Sequence, residues 1–364
     1  MLTEAGDPGE KKKRLSWWTT FGAVSVMERV WRSSSESYLR PLPARIGVSH
    51  RGKSRRLERV LVDFGCEHSF ARAAGQLREH YGFQLGATAV REATLAHARR
   101  ARRREEAATS RCFRLLPQQG AETVVAEADG SMICTVAAGG KRGGKRPREW
   151  KEMRLVAACQ QGKTEAVYGA GFADVERTGR RWAHCARQAG WALESRIHVV
   201  GDGAGWVQAQ SQEVFGKQSR FLTDFFHVSE YLAAAALAIV GANDARRWLK
   251  VQQRRLKRGK AAMVLEALAP FAEPPALSEE HAPVRAALRY LSNRSGQLDY
   301  PAAIQAGLPI GSGMIESGHK HVLQARLKKA GAAWLPENAD VMAQLRVLRS
   351  NNQWESIWNL KQAA

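Results

Sequence analysis

The sequence predicts an α/β protein, a mixed β-sheet with helices on its faces, interrupted by an all-α insertion and preceded by a small helical region. Three observations lead there. From residue 122, short β-branched runs bounded by glycine or polar residues alternate with amphipathic segments, the texture of strands and helices sharing one sheet. Between about 230 and 306 the chain turns Ala-, Leu- and Arg-rich with a helical period. Before residue 115, two helical segments are joined by a tight turn. At 364 residues with 44% hydrophobic content, the chain is long enough for about two domains with real cores.

In chain order, residues 1–56 read as a basic N-terminal region. Residues 1–16 are polar and expected to be loose, and 17–31 show partial alternation, with Val24, Val26 and Val30 in phase as in one half-buried strand. A Pro-, Ser- and Arg-rich linker follows. Over 57–115, HSFARAAGQLREHYG places Phe70, Ala73, Ala74, Leu77 and Tyr81 on one helical face before Gly82 stops it. After FQLGA a second helix, TAVREATLAHARRARRR, ends in a dense basic cluster. The pair has the form of a DNA-binding helix-turn-helix, with Arg91, Arg99 and Arg100 on the second helix. The same run also reads as a solvated helix end.

From 122 the strands ETVVAEAD, EWKEMRLVAACQ and EAVYGAGFAD precede a helix at 175–193, the strand IHVVGD, a helix at 204–215 and the strand SRFLTDF. The order β-β-β-α-β-α-β matches a ribonuclease-H-like mixed sheet, assigned to 120–229 and 307–335, with 230–306 as the helical insertion and 336–364 as C-terminal helices. On that layout Asp129 ends the first strand and Asp202 the fourth, as neighbours at the sheet centre, where open α/β sheets place ligands. IGSGMIESGHK at 310–320 supplies a third acid, Glu316, near a helix start. Phosphoryl transfer on nucleic acid uses two Mg²⁺ ions about 3.5 to 4 Å apart, and three carboxylates are suitable hard ligands for Mg²⁺, with Mn²⁺ as a substitute. Gly203 and Gly205 allow the backbone to approach a phosphate. Taken singly, Asp202-Gly203 is also a common turn and Glu316 an ordinary first-turn acid that complements a helix dipole.

The charge balance narrows the partners. Against 35 Asp and Glu stand 56 Lys and Arg, a formal charge of +21, which predicts attraction to a polyanion and favours nucleic acid. The glycine-rich loop at 139–151 places Lys141, Arg142, Lys145 and Arg146 beside Asp129 for gripping phosphate, and Lys320, Arg326, Lys328 and Lys329 add basic groups after the third acid. No apolar run approaching the ~20 residues of a membrane span is expected, and no membrane partner. Five singly placed cysteines suggest free thiols rather than disulfides or a zinc ribbon. The KKKR before LSWWTTFGAVSVM lacks a convincing cleavage site and the chain soon returns to charge, so export is not expected and a cytoplasmic location is. QGKT at 161–164 is not a phosphate loop, because the first glycine that motif requires falls at Ala157; GDGAGW fails the dinucleotide fingerprint at Trp206.

Five stretches carry a family resemblance: ADGSMI at 128–133, REWKEMRL at 148–155, VGDGAGWV at 200–207, TDFFHVSEYL at 223–232 and IGSGMIESGHKHV at 310–322. They resemble the DDE transposases of bacterial insertion sequences, and most closely the ISKra-type group related to Mutator-like enzymes, over about residues 19–358. The resemblance implies a catalytic, metal-binding triad of Asp129, Asp202 and Glu316, supported by Asp224, His227 and Trp206. It implies double-stranded DNA, both element ends and target, as partner, and a homodimer or higher oligomer on that DNA. Asp224 is otherwise a strand-end residue bonding backbone, His227 a satisfied core histidine and Trp206 a core residue. His319 and His321, two apart on a helix, point to different faces and make a poor metal pair. One departure stands out, since RVWRSSSESYLRP at 29–41 has serines where the group carries a cysteine-pair zinc element. The expected activity is cleavage and strand transfer at insertion-sequence ends. The alternatives are a ribonuclease-H-like nuclease or resolvase, and a transposase-derived DNA-binding protein without activity.

Overall fold

The first element begins where the sequence suggested a loose tail. β1 (Lys11–Thr19) and β2 (Gly22–Arg32) form an antiparallel hairpin, with Lys11 opposite Val30 and Thr19 opposite Gly22. The expected single strand over 17–31 is therefore bent at Thr20–Phe21, and Gly22 takes a φ of +98°, which an L side chain resists. KKKR carries no apolar alternation; its strand is made by pairing with β2 and by burial of Leu15 and Val30. The computed structural model describes residues 11–32, 38–111, 115–137 and 147–358, in two compact units, 1–100 and 101–364.

In the first unit, β3 (Tyr38–Leu39) pairs with β2, and a short α1 (Pro41–Ile46) occupies part of the expected linker. α2 (Arg55–Glu67), α3 (Phe70–Tyr81) and the first half of α4 (Ala87–Thr109) close on Leu57, Leu61, Ala73, Leu77 and Val90. Ser54 and Ser69 cap α2 and α3, accepting from the Leu57 and Arg72 amides at 3.3 Å, each cap contributing about 1 kcal/mol.

The second unit is built on a five-stranded sheet in the order β6-β5-β4-β7-β8. β4 (Thr123–Val136), β5 (Arg148–Gln160) and β6 (Val167–Gly171) are antiparallel neighbours. β7 (Arg196–Gly201) runs parallel to β4, and β8 (Ser219–Thr223) parallel to β7. Between them lie α5 (Val175–Gln188) and α6 (Gly205–Phe215), so the expected element order is present. One face of the sheet packs Val124, Ala126, Val156 and Ile197 against Trp182 and Phe215 of these helices. β4 is longer than expected: pairing with β5 continues to Val136 opposite Arg148, so Asp129 sits inside the strand and not at its end.

After β8 the chain leaves the sheet as α7 (Phe225–Lys257), α8 (Ala261–Leu268), α9 (Pro283–Ser292) and α10 (Tyr300–Gln305), which bury their own core around Leu232, Leu256, Val264 and Tyr300. α7 breaks at Gly241, φ 72° and ψ 173°. Among the described residues it is the one helix long and apolar enough by composition to cross a membrane, contrary to expectation; its buried residues build this core. The chain then returns to the sheet's second face as α11 (Gly313–Gly318), a π-turn at His319–Gln324, α12 (Ala325–Leu327) and α13 (Pro336–Ser350). A Cβ at Gly318 would lie 2.6 Å from Tyr168 and 2.9 Å from Leu155, so only glycine lets α11 lie this close to β5 and β6.

The basic run at the end of α4 divides by role. Arg99 and Arg100 are exposed, whereas Arg102 pairs with Asp340 and Glu106, and Arg104 donates to the Ser356 carbonyl. Arg181 pairs with Glu105 at 2.7 Å from the opposite side. The solvated-end reading therefore fails for Arg102 and Arg104, which hold the fold.

Candidate active site

Asp129 lies on one face of the sheet, and Asp202 just past the end of the neighbouring strand. Alternation puts Glu127 and Asp129 on the face opposite the Val124–Ala126 core, and Glu127 is the register partner of Val200. Asp202 lies two residues beyond Val200, in the turn that follows β7, the strand beside β4. Asp129 Oδ1 accepts from the Gly130 amide at 2.7 Å, and Asp202 Oδ1 from the Ala204 amide at 2.8 Å. Glu316 is exposed on α11, which lies over the same face.

The turn that carries Asp202 is held by the helical insertion. The Tyr290 hydroxyl donates to the Asp202 carbonyl, and Arg294 donates to the Gly203 carbonyl at 2.7 Å while lying 3.9 Å above the Tyr290 ring. Gly203 has a φ of +80°, and a Cβ there would sit 2.0 Å from Arg294 Nε. Tyr231 stacks on Tyr290 with centroids 4.2 Å apart, and His227 meets both rings edge-on. A cleft of about 550 Å³ opens here, lined by Asp202, His227, Arg289 and Asn293. A larger one of about 650 Å³, beside Lys163 and His321, touches none of the three acids.

The segment bearing Glu316 is tied down by two buried acids. Asp224, 2% exposed, caps α7 through Oδ1, accepting from Phe226 and His227, and through Oδ2 accepts from the Ser312 amide at 2.7 Å and from its hydroxyl. Glu127, 1% exposed, accepts from the Ile315 amide at 2.7 Å. Burial pushes the Glu127 carboxyl up to about 8; bonds from Ile315 and Met314 oppose that rise, while the Asp224 and Glu316 charges add to it. His198 Nε2–H donates to the Pro309 carbonyl at 2.8 Å, tying the start of this segment to β7.

The supporting residues divide. Asp224 is the strand-end residue that bonds backbone, and His227 is half-exposed with Nδ1 3.3 Å from Glu230. Trp206, in the first turn of α6, packs on the sheet core under the Arg154 guanidinium, 4.6 Å from its ring. His319 and His321 do point apart: His321 meets the Tyr168 ring, whereas His319, 6% exposed, brings Nε2 to 3.0 Å from Asp129 Oδ2. That approach lacks hydrogen-bond geometry, and neither ring nitrogen bonds another described group. Glu127 had one signal in the sequence, an acid inside the apolar run VVAEAD; Tyr290 and Arg294 had none.

Of the basic candidates, Arg91, Arg99, Arg100, Lys320 and Lys328 are exposed and Lys329 is half-buried. Arg326 is 3% exposed with its guanidinium over Trp334, so it packs the interior and does not face DNA. Lys141, Arg142, Lys145 and Arg146 lie outside the described residues.

As donors, the three carboxylates suit a hard divalent cation. Among the described residues, no three His, Cys, Asp or Glu groups stand close enough to hold one. Asp129 in β4, Asp202 in the turn after the adjacent β7, and Glu316 on an exposed side chain are the carboxylates that would hold it.

The model of an uncharacterised protein family, UPF0236, matches residues 10–359. Comparison with curated proteins returns no match.

Proposed function

The chain belongs to this uncharacterised family, UPF0236, and from that premise we propose that it is a DDE-type DNA transposase. The observation that carries the reading is Asp129 in β4 and Asp202 in the turn just after the adjacent parallel strand β7, with Glu316 on a helix packed over β4 and β5. The sheet order, three antiparallel strands followed by two parallel ones, agrees with a ribonuclease-H-like catalytic domain, and the helices of the first unit agree with a DNA-binding helix-turn-helix.

In this reading Asp129, Asp202 and Glu316 would hold two Mg²⁺ ions. When bound, these ions stabilise charge on the attacking and leaving oxygens of the scissile phosphate. Water displaces the 3′ oxygen at the element's end, and the freed 3′-hydroxyl then displaces a 3′ oxygen of target DNA, exchanging one phosphodiester for another. Tyr290 and Arg294 fix the Asp202 turn, and its left-handed Gly203 leaves room for the Arg294 side chain against the turn. Arg91, Arg99, Arg100, Lys320 and Lys328 hold DNA.

The test uses the full chain, Mg²⁺ and DNA bearing the terminal repeats that flank its gene, read for nicking and for joining to a second duplex. Both are expected, and Asp129→Asn, Asp202→Asn and Glu316→Gln should each lose them while retaining end binding. Nicking without joining would identify a nuclease or resolvase, and binding without nicking a DNA-binding protein.

A further inference from the structure

We propose that Glu127 is a positioning residue that sets Glu316 against Asp129. The proposal rests on the reading above and goes beyond its three acids. Glu127 and Asp129 project from the same face of β4, about 6.6 Å apart along the strand. The Glu127 carboxylate reaches across to α11 and accepts from the Ile315 amide, the residue before Glu316. One side chain thus joins the strand of the first acid to the helix of the third.

The helix cannot supply this bond itself. A first helical turn leaves amides without intrahelical partners, and a capping side chain usually accepts from them. In α11 the N-cap residue is Ser312, whose hydroxyl donates to Asp224 and caps nothing. Glu127 serves as the cap from another element.

Three features show that the fit is tight. Glu127 is 1% exposed, with its carboxyl accepting from the Ile315 amide at 2.7 Å. A Cβ at Gly311 would lie 2.5 Å from the Phe226 ring, and one at Gly318 would strike Tyr168. Clamped at 311–312, 315 and 318, α11 has little freedom to move relative to β4.

The test compares full-length wild type, Glu127→Gln and Glu127→Ala. Glutamine keeps a carbonyl acceptor of the same reach, and alanine removes it. Amide hydrogen exchange over 313–316 should accelerate in Glu127→Ala and stay near wild type in Glu127→Gln. Mn²⁺ affinity, read by electron paramagnetic resonance without DNA, should fall about 10- to 100-fold in Glu127→Ala, the usual loss when support behind a ligand is removed, and recover in Glu127→Gln. On end DNA, kcat should fall with KM unchanged. Wild-type exchange and Mn²⁺ affinity in Glu127→Ala would overturn the proposal. Loss of Mn²⁺ in Glu127→Gln with exchange still slow would also overturn it, since the carboxylate would then be a ligand itself. A wild-type chain that binds Mn²⁺ but cuts no DNA would sink the transposase reading and leave the clamp standing; one that binds no Mn²⁺ would sink both.

Discussion

The Tyr290 hydroxyl on the helical insertion donates to the backbone carbonyl of Asp202, at the turn after β7. The carbonyl of this turn is thereby fixed by an element 88 residues later in the chain. Tyr290→Phe deletes the donor and keeps the stacking on Tyr231. A net hydrogen bond of about 0.5–1.5 kcal/mol predicts a loss of roughly 2- to 12-fold in cleavage rate, with little change in DNA affinity. Gly203→Ala should be worse, since a left-handed backbone costs about 1–2 kcal/mol and its Cβ displaces Arg294. Single-turnover cleavage by the two variants checks the ranking; equal rates in Tyr290→Phe and wild type would free Asp202 from the insertion.

An all-carboxylate site should be selective by size. Mg²⁺ and Mn²⁺ are expected to support turnover. Ca²⁺, with oxygen distances of about 2.3–2.6 Å against about 2.0–2.1 Å for Mg²⁺, should permit assembly on DNA with little cutting. Cleavage supported by zinc in a chain lacking all three carboxylates would refute this assignment.

Two basic regions should separate in binding experiments. Replacing Arg91, Arg99 and Arg100 with alanine should reduce preference for end DNA over scrambled DNA, each lost base contact costing about 1–3 kcal/mol. Neutralising Lys141, Arg142, Lys145 and Arg146 should weaken all duplexes alike and flatten the salt dependence. Binding curves at several salt concentrations decide, and the reverse pattern would move recognition off α4.

The first unit should weaken in acid through Glu58. Its hydrogen bond with His97, at 3.4 Å, holds the carboxyl below its usual value, and His97, Arg100 and Lys53 add attraction against a burial that raises it. A folded value below the unfolded one contributes stability above about pH 4.3, and that stability is lost as pH falls through the folded value. Glu58→Gln should flatten this acid limb in thermal melts between about pH 5 and 3; an unchanged slope would remove Glu58 from it.

How much was legible depends on whether a residue's role is local. The order of strands and helices from 122 to 223 could be read because each short apolar run ends at a turn residue. β1 could not, because KKKR becomes a strand only through its partner. Asp129 looked like a strand end because Gly130 and Ser131 follow it, yet pairing with β5 carries the strand on. Arg100 and Arg102 look alike in RRARRR, but only Arg102 meets Asp340. Glu127 is a charged residue buried against a helix 188 residues away, and no window around it contains that partner.

The insertion also sets a timetable. Asp202 and Glu316 are separated by 113 residues, most of them in α7 to α10. At about 5–20 residues per second, a ribosome adds the third acid roughly 6 to 23 s after the second. During that interval the nascent chain can already attract nucleic acid through its basic first unit, but it has no complete set of acids with which to cut. Under the proposed reading, the order of the chain thus withholds the third acid until after the insertion has been synthesised.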